Sequence, residues 1–567
     1  MVLVDIVQLY VPEIIASLSL ANDQGTLTDF MIQQGCLNIF YIAIFMFVGR
    51  FTWRIFILSG AFNIAGDLRK DMFLKCEKLS QRFYQENKVG AIMSYFTNDL
   101  DTIQEAYGWG TVMLVDSVFL SALSFYKMMK VNVSLSLICA IPLVILCIFS
   151  YFIDNKMEKI YSQRQQAFER MSDYVQELFT GLRVIKAFVK EIKEAVKFKK
   201  VNNETRNKDL KLVKFSAGLD TGFSLLIQGM IAIGFSYGAF LVYQGVFGGD
   251  SSFTRSEMLE FNGYFNTIIW PMIALGQIVA LRSRAKTSLK RVSTLLDEKI
   301  EIVDADDCLE VESLKGKIVF KNFSYHYPNN EEMVLKNINL EIKCGENIGI
   351  VGKIGSGKTT LVTALLRLDN LEKGTVFIDD IDIMSLKIKT VRDNIGFVPQ
   401  DNFLFSTSVE ENIAFSTNKI NKEDIVLASK FSDVHDNIID FSDGYKTLVG
   451  ERGVSLSGGQ KQRISIARAY LKKAPIMILD DSVSAVDVKT EEKILQNIKE
   501  NRKGLTTIVI ASRVSTVEHL DRIIVMNNGE IEAFDTHENL LKISPTYKKM
   551  VELQTLENEV EGGDFNE

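Results

Sequence analysis

Two stretches of this chain combine residue types and spacings suited to handling phosphate and magnesium. The first, GKIGSGKTT at Gly352 to Thr360, fits G-x-x-x-x-G-K-[ST] and follows the apolar run NIGIV. Its glycines let backbone N–H groups turn inward around phosphate oxygens, and the helix expected after it presents its positive end to the same anion. Lys358 is then placed to reach the β- and γ-phosphates and Thr359 to ligate magnesium, with Lys353, Ile354, Gly355, Ser356, Gly357 and Thr360 completing the cradle. The second stretch, IMILDDSVSAVD at Ile476 to Asp487, ends an apolar run in two carboxylates. IMIL delivers Asp480 to the carboxyl end of a buried strand, where open α/β sheets bind ligands, so Asp480 can hold the magnesium shell. Asp481 follows directly, and what a second carboxylate does there depends on its reach. TTIVIA, Thr506 to Ala511, brings Ser512 to the same edge, so three strand ends converge on one nucleotide.

A third element, LSGGQKQRISIARAYL, is a small-residue turn opening a helix, a geometry that also binds anions. One nucleotide does not need two phosphate-cradling helix ends in one lobe. The spare end therefore calls for a second copy of the domain facing it.

The elements that must position these groups occupy the chain from about Ser313 onward. KIVFKNFSYHY and LKNINLEI read as strands, and NIGIV, IMIL and TTIVIA as short buried parallel strands with helices between them. Up to about residue 300 the texture is different. Cys36–Leu58, Gly108–Tyr126, Val131–Ile153, Phe215–Tyr243 and Met258–Leu281 are apolar and near the length that spans about 30 Å of hydrocarbon. Met1–Leu20 contains Asp5, Gln8, Pro12 and Glu13 and no basic lead, which fits a shortened first span rather than a signal peptide. Pro12, Pro142 and Pro271 lie in or beside spans, where neighbouring helices tolerate kinks. Arg50, Arg54, Asp220 and Glu260 either line a polar cavity or lie close to the water interface.

Loop charge orients the spans. The segment Asp154–Lys214 is strongly basic, whereas Ala21–Gly35 and Gln244–Glu257 carry between them a single basic residue, Arg255. The segments 61–106 and 154–214 are thus cytoplasmic, and their helical pattern extends the membrane helices into the cytoplasm. The expected organisation is a membrane domain over 1–300, an acidic linker Val292–Leu314 without glycine or proline, and a cytoplasmic α/β domain over 314–567. A length of 567 residues requires more than one core, and 47% apolar content beside 24% charge matches a membrane part joined to a soluble one. A net charge of −7 gives no case for nucleic acid. Cys36, Cys76, Cys139, Cys147, Cys308 and Cys344 form no CxxC pair and read as packing residues.

Taken together, these motifs resemble a half-transporter of the ABC exporter class, over nearly the whole chain. GKIGSGKT resembles the Walker A loop, LSGGQ (Leu456–Gln460) the family signature, IMILD the Walker B strand, and VPQ ending at Gln400 the Q-loop. SAVD (Ser484–Asp487) resembles the D-loop, and TLVGERG the segment that touches the membrane-domain loops. QRFYQENKVGAIMSYFTNDLD and QELFTGLRVIKAF resemble the two coupling loops, and Tyr327, before Pro328, matches the aromatic that stacks on adenine. The resemblance implies six membrane helices, the first short or truncated, fused to a P-loop ATPase domain with a helical subdomain. It implies ATP and Mg2+ as ligands, Gln400 as both a magnesium and a catalytic contact, and Ser457, Gly458, Gly459 and Gln460 acting in trans on a partner's ATP. Family members also generally carry a cytoplasmic helix and a full first span before the point where this chain begins, so either the start lies upstream or the first helix is short.

Two departures bear on activity. The family places a glutamate after the Walker B aspartate and a histidine after the strand TTIVIA; here stand Asp481 and Ser512. Losing one methylene withdraws the carboxylate by on the order of 1 Å, and a misplacement of that size costs about 10²-fold. Serine lacks the reach and charge of imidazole. These departures imply a site that holds Mg-ATP and hydrolyses it slowly, paired with a different half-transporter that supplies glutamate and histidine; the other reading has Asp481 acting through a water. The expected protein sits in the cell membrane, multi-pass, and exports an apolar or amphipathic drug, lipid or peptide. The alternatives are an ATP-gated channel or regulatory subunit, and a soluble ATPase of the chromosome-maintenance kind, which lacks membrane spans.

Overall fold

The computed structural model describes residues 1–567 except 245, 247–252, 328–331, 418–420, 451–455, 484–485 and 563–567; at several helical positions within 142–158, 223, 275–280 and 557–562 it describes backbone alone. Pro328, Ser484, Ala485 and Glu451 to Gly453 thus lie outside the described residues, and Pro142 is described by its backbone only. Met1–Glu77 with Asn87–Glu298 form one compact unit, and Lys78–Glu86 with Lys299–Glu567 form the other.

The first unit is helical. Its long runs are Val2–Asp23, Asp29–Cys76, Val89–Val131, Val133–Thr180, Glu191–Tyr243 and Arg255–Asp297. At 1.5 Å per residue, the 48 residues of Asp29–Cys76 reach roughly 72 Å, more than twice the hydrocarbon thickness. Among the described residues, four runs are long and apolar enough to cross a membrane: Val2–Asp23, Asp29–Cys76, Val89–Val131 and Glu191–Tyr243. The other expected spans, Val131–Ile153 and Met258–Leu281, fall on helices with positions described by backbone alone.

Side-chain oxygens start several of these helices. Thr28 accepts from Met31 N–H, Asn132 from Leu135 N–H, and Thr254 and Glu257 form a reciprocal capping box. The first span, expected to be short, runs for 22 residues. Two of its polar side chains are paired inside the bundle, Gln8 Oε1 accepting from Arg50 at 2.8 Å and Glu13 pairing with Lys127, while Asp5 Oδ2 is buried with no hydrogen-bond partner among the described residues. Pro12 falls in the first turn of the segment Tyr10–Asp23, where its missing N–H has no intrahelical partner to lose. Glu260 is likewise tied in, its carboxylate 2.9 Å from the Tyr264 hydroxyl, which also lies 3.1 Å from Glu13. The linker expected from Val292 begins later, because Val292 and Leu295, three residues apart on one helical face, are buried and carry the last helix on to Asp297.

The second unit is built on strands β1 (Ile318–Tyr325), β2 (Leu335–Ile342), β3 (Asn347–Gly352), β4 (Val376–Ile378), β5 (Ile381–Asp382), β6 (Ile395–Val398), β7 (Ile476–Asp480), β8 (Thr506–Ile510), β9 (Arg522–Asn527) and β10 (Glu530–Asp535). They form a four-stranded antiparallel sheet, β2-β1-β4-β5, and a six-stranded sheet, β10-β9-β3-β8-β7-β6, parallel from β9 to β6. The parallel strands are unbroken apolar runs because both their faces are covered. Ile348, Ile350, Ile476, Ile478, Ile508 and Ile510 pack to one side with the antiparallel sheet. Val351, Met477, Leu479 and Val509 pack to the other, with Ile494, Ile498 and Tyr547 from helices Val488–Asn501 and Pro545–Gly562. A separate helical cluster around Leu404, Ile413, Ala428, Ile438 and Ile464 carries the helix Gly458–Leu471. Lys78–Glu86 joins this unit through Ser80 Oγ, which donates to Glu301 at 2.8 Å, and through Arg82, 3.3 Å from the same carboxylate.

Candidate nucleotide site

The cleft of about 520 Å3 at the carboxyl edge of the parallel sheet is walled by Gly352 to Thr360, Gln400, Asp480, Asp481 and Ser512, with Val334, Ile510 and Met550. β3 ends at Gly352, whose φ of +156° brings the backbone so close to β9 that a Cβ there would meet Met526 O at 2.3 Å. Gly357, at φ +94°, turns the chain into the helix Lys358–Ala364. Between them, the Lys358 ammonium donates to Gly352 O at 2.8 Å and Lys353 O at 3.0 Å, bridging the mouth of the loop. Ile354 stands fully exposed at its tip.

Ser356 Oγ is buried with no hydrogen-bond partner among the described residues, a hydroxyl left for a bound group to satisfy. Thr359 Oγ1 donates to Asp480 Oδ1 at 3.2 Å, so hydroxyl and carboxylate share one spot at the floor of the cleft. No cluster of three or more His, Cys, Asp or Glu side chains suited to a metal occurs among the described residues. One carboxylate and one hydroxyl nonetheless fit magnesium, which keeps several waters and takes its other oxygens from substrate phosphates. Gln400, two residues past β6, lies on the same wall.

Burial is the main force on the charges here. It pushes the Asp480 carboxyl upward, Asp481 adds to this, and Thr359 and Lys358 oppose it. It pushes Lys358 downward, against the pull of Asp481 and Asp480. Only ionised Asp480 ligates a cation, so its ligating fraction falls as pH drops through a range above that of an ordinary aspartate. The Mg2+ needed for half-maximal ATP binding is therefore expected to climb as buffer is made mildly acidic, and Asp480→Asn to remove that dependence; a requirement equally flat in both proteins would refute it.

Asp481 occupies left-handed backbone at φ +46°, with its N–H donating to Ile510 O at 3.0 Å. Its carboxylate lies between Ser512 Oγ, at 3.4 Å, and Gln400 Nε2, at 3.5 Å. Tyr327 sets its hydroxyl 3.0 Å from Thr360 Oγ1 and its ring edge-on to Tyr325. Ser457 caps the helix Gly458–Leu471 in a reciprocal box with Gln460, and none of Ser457, Gly458, Gly459 and Gln460 walls the P-loop cleft. Gly458 instead lines a second hollow with Gln400 and Phe403.

Met550 and the helix that carries it escape motif reading. The spacing of Tyr547, Met550, Val551 and Gln554 marks one face of a helix, but nothing in the sequence says which wall that face completes.

A P-loop cleft on a doubly covered α/β sheet, on one chain with membrane-length helices, defines a membrane-bound ATPase of transporter type. Residues 335–484 match the ABC transporter family and residues 2–272 the ABC transporter transmembrane region. The chain belongs to the ABC transporter family and is a multi-pass membrane protein with a cytoplasmic nucleotide-binding domain. It is 34% identical to the probable multidrug resistance ABC transporter ATP-binding/permease protein YheI of Bacillus subtilis, over 99% of this chain and 95% of that one. It is 31% identical to the multidrug resistance-like ATP-binding protein MdlA of Escherichia coli, over 98% and 93%. Its fold matches the structure of a bacterial Atm1-family ABC exporter with ATP bound, at a TM-score of 0.81 and 23% identity over 97% of each chain.

Proposed function

We propose that this chain is one half of an ATP-driven exporter, holding Mg-ATP at its own P-loop in a site of slow turnover and lending its signature helix to a faster site on an unlike partner. Residues 1–300, apart from Lys78–Glu86 and the last two, belong to the membrane part and 314–567 to the ATP part. The observation that carries the reading is Asp481: the short carboxylate sits where the family has glutamate, backed by Ser512 rather than histidine, with Ser512 Oγ at 3.4 Å and Gln400 Nε2 at 3.5 Å. Binding groups are complete around it. Lys358 and the loop N–H groups take the phosphates, Thr359, Asp480 and Gln400 the cation, and Tyr327 the adenine. The start of Gly458–Leu471, away from the P-loop of its own chain, supports a facing ATP domain as its target. Relatives named for multidrug resistance support apolar or amphipathic cargo, a drug, lipid or peptide.

The test is to purify the chain alone and measure Mg-ATP binding and phosphate release together. Tight binding with release at least tenfold below that of the chain mixed with a glutamate- and histidine-bearing half-transporter is expected. Brisk release from the chain alone, lost on Asp481→Asn, would show that no unlike partner is needed.

A further inference from the structure

The loop after β8 carries Ser512 into the cleft, and what fixes that loop lies on the C-terminal helix Pro545–Gly562. Past Ser512 the backbone makes a single turn, in which Val517 N–H and Glu518 N–H both donate to Val514 O at 2.9 Å. The first N–H groups of such a turn have no partner inside it. Here Val514 N–H and Ser515 N–H both donate to one oxygen, Gln554 Oε1, at 2.7 and 3.4 Å. Gln554 Nε2 in turn donates to Ser515 Oγ at 2.7 Å. A side chain from 39 to 40 residues away thus does what a capping residue does locally. On its other side, the loop is held by the buried Thr516 hydroxyl, which donates to buried Glu491 on the helix Val488–Asn501.

The helix bearing Gln554 is itself anchored. Tyr547 is fully buried, its N–H donates to Ser544 Oγ at 3.0 Å, and its hydroxyl lies 2.8 Å from His537 Nδ1. Three residues further, Met550 walls the nucleotide cleft, and one turn beyond that comes Gln554. One helical face therefore both borders the cleft and holds the loop that supplies Ser512.

We propose that Gln554 is a positioning residue for γ-phosphate recognition: through it the C-terminal helix sets the Ala511–Val517 loop and holds Ser512 beside Asp481. This rests on the cleft being the ATP site. Ser512 Oγ is already 3.4 Å from Asp481 Oδ1, so a shift of the loop away from Asp481 breaks that contact. Ser512 walls the same cleft as Lys358, which the proposed function assigns to the phosphates, so on this proposal the loop meets the third phosphate that ATP carries and ADP lacks, and loosening it weakens ATP binding and spares ADP.

The experiment displaces a fluorescent ATP analogue from the full-length protein with ATP or ADP in the presence of Mg2+. Gln554→Ala is expected to lower the preference for ATP over ADP by about fivefold, the worth of one net hydrogen bond. Ser512→Ala should do the same, and the double variant should lose no more, because both act through one contact. Gln554→Glu should keep most of the preference, since its carboxylate still accepts both N–H groups while the Ser515 hydroxyl donates to it. With Lys358→Ala abolishing nucleotide binding as a control, an unchanged preference in Gln554→Ala, or an equal loss of ATP and ADP, overturns the inference alone. If Lys358→Ala binds ATP like the parent, the ATP-site reading falls and this inference with it.

Discussion

Asp481→Glu is expected to raise ATP turnover by the purified chain by about ten- to a hundredfold, the inverse of the loss expected from an ångström-scale withdrawal of a proton-handling carboxylate. Asp481 already stands at the right strand end, next to the buried carboxylate of Asp480 and facing Gln400 and Ser512. On the proposed reading it falls short in reach: Ser512 Oγ lies 3.4 Å and Gln400 Nε2 3.5 Å from its carboxylate. The extra methylene carries the carboxylate further toward the point where an attacking water must stand. Asp481→Asn has the same reach as the parent and no basicity, and should stay at background. The gain comes with a measurable loss of stability. Asp481 sits at φ +46°, a conformation aspartate tolerates by local hydrogen bonding and glutamate does not, so the variant should be less stable by about 1 kcal/mol. Steady-state phosphate release and a thermal melt on the same samples check both halves. Turnover no higher in Asp481→Glu than in Asp481→Asn would remove carboxylate reach as the basis of the proposed slow hydrolysis.

Gly352→Ala is expected to abolish ATP binding and to destabilise the nucleotide unit by about 3 to 5 kcal/mol, combining backbone strain with overpacking against a group that cannot yield. At φ +156° an alanine is strained, and its Cβ would lie 2.3 Å from Met526 O and 2.7 Å from Ser356 Oγ. Met526 O belongs to β9, which is hydrogen-bonded to β3 along its length, so the clash is relieved only by separating the strands or by tilting the phosphate loop. Tilting pulls Gly352 O away from the Lys358 ammonium, now 2.8 Å distant. The measurement is the thermal midpoint with and without Mg-ATP: the variant should melt lower and gain nothing from nucleotide. A variant stabilised by ATP as strongly as the parent would show that the close approach at Gly352 is dispensable.

Much of this site was legible in the sequence because its parts are local. LKNINLEI reads as a strand by its alternation, and Leu335–Ile342 is one, buried at Leu335, Ile338, Leu340 and Ile342. GKIGSGKTT and IMILD each carry chemistry within a dozen residues, and their meeting at one sheet edge follows from parallel topology, which puts all strand ends on the same side. What stayed hidden depends on partners distant in the chain. Whether Gln8 and Glu13 shorten the first span turns on Arg50 and Lys127, which composition does not connect to them. The left-handed backbone at Asp481 and the hold of Gln554 on the loop leave no periodic trace. Their effects are written in tertiary hydrogen bonds, not in spacing.

Lys78–Glu86 gives the protein a timetable. Ser80 precedes its acceptor Glu301 by 221 residues, and at about 5–20 residues per second that separation is roughly 10 to 45 seconds of ribosome travel. Throughout that interval the early segment has been made while the surface that receives it has not. Completion of the ATP unit is thus withheld until synthesis has passed the whole helical unit. A nascent chain stalled before Glu301 holds Ser80 and Arg82 without this acceptor.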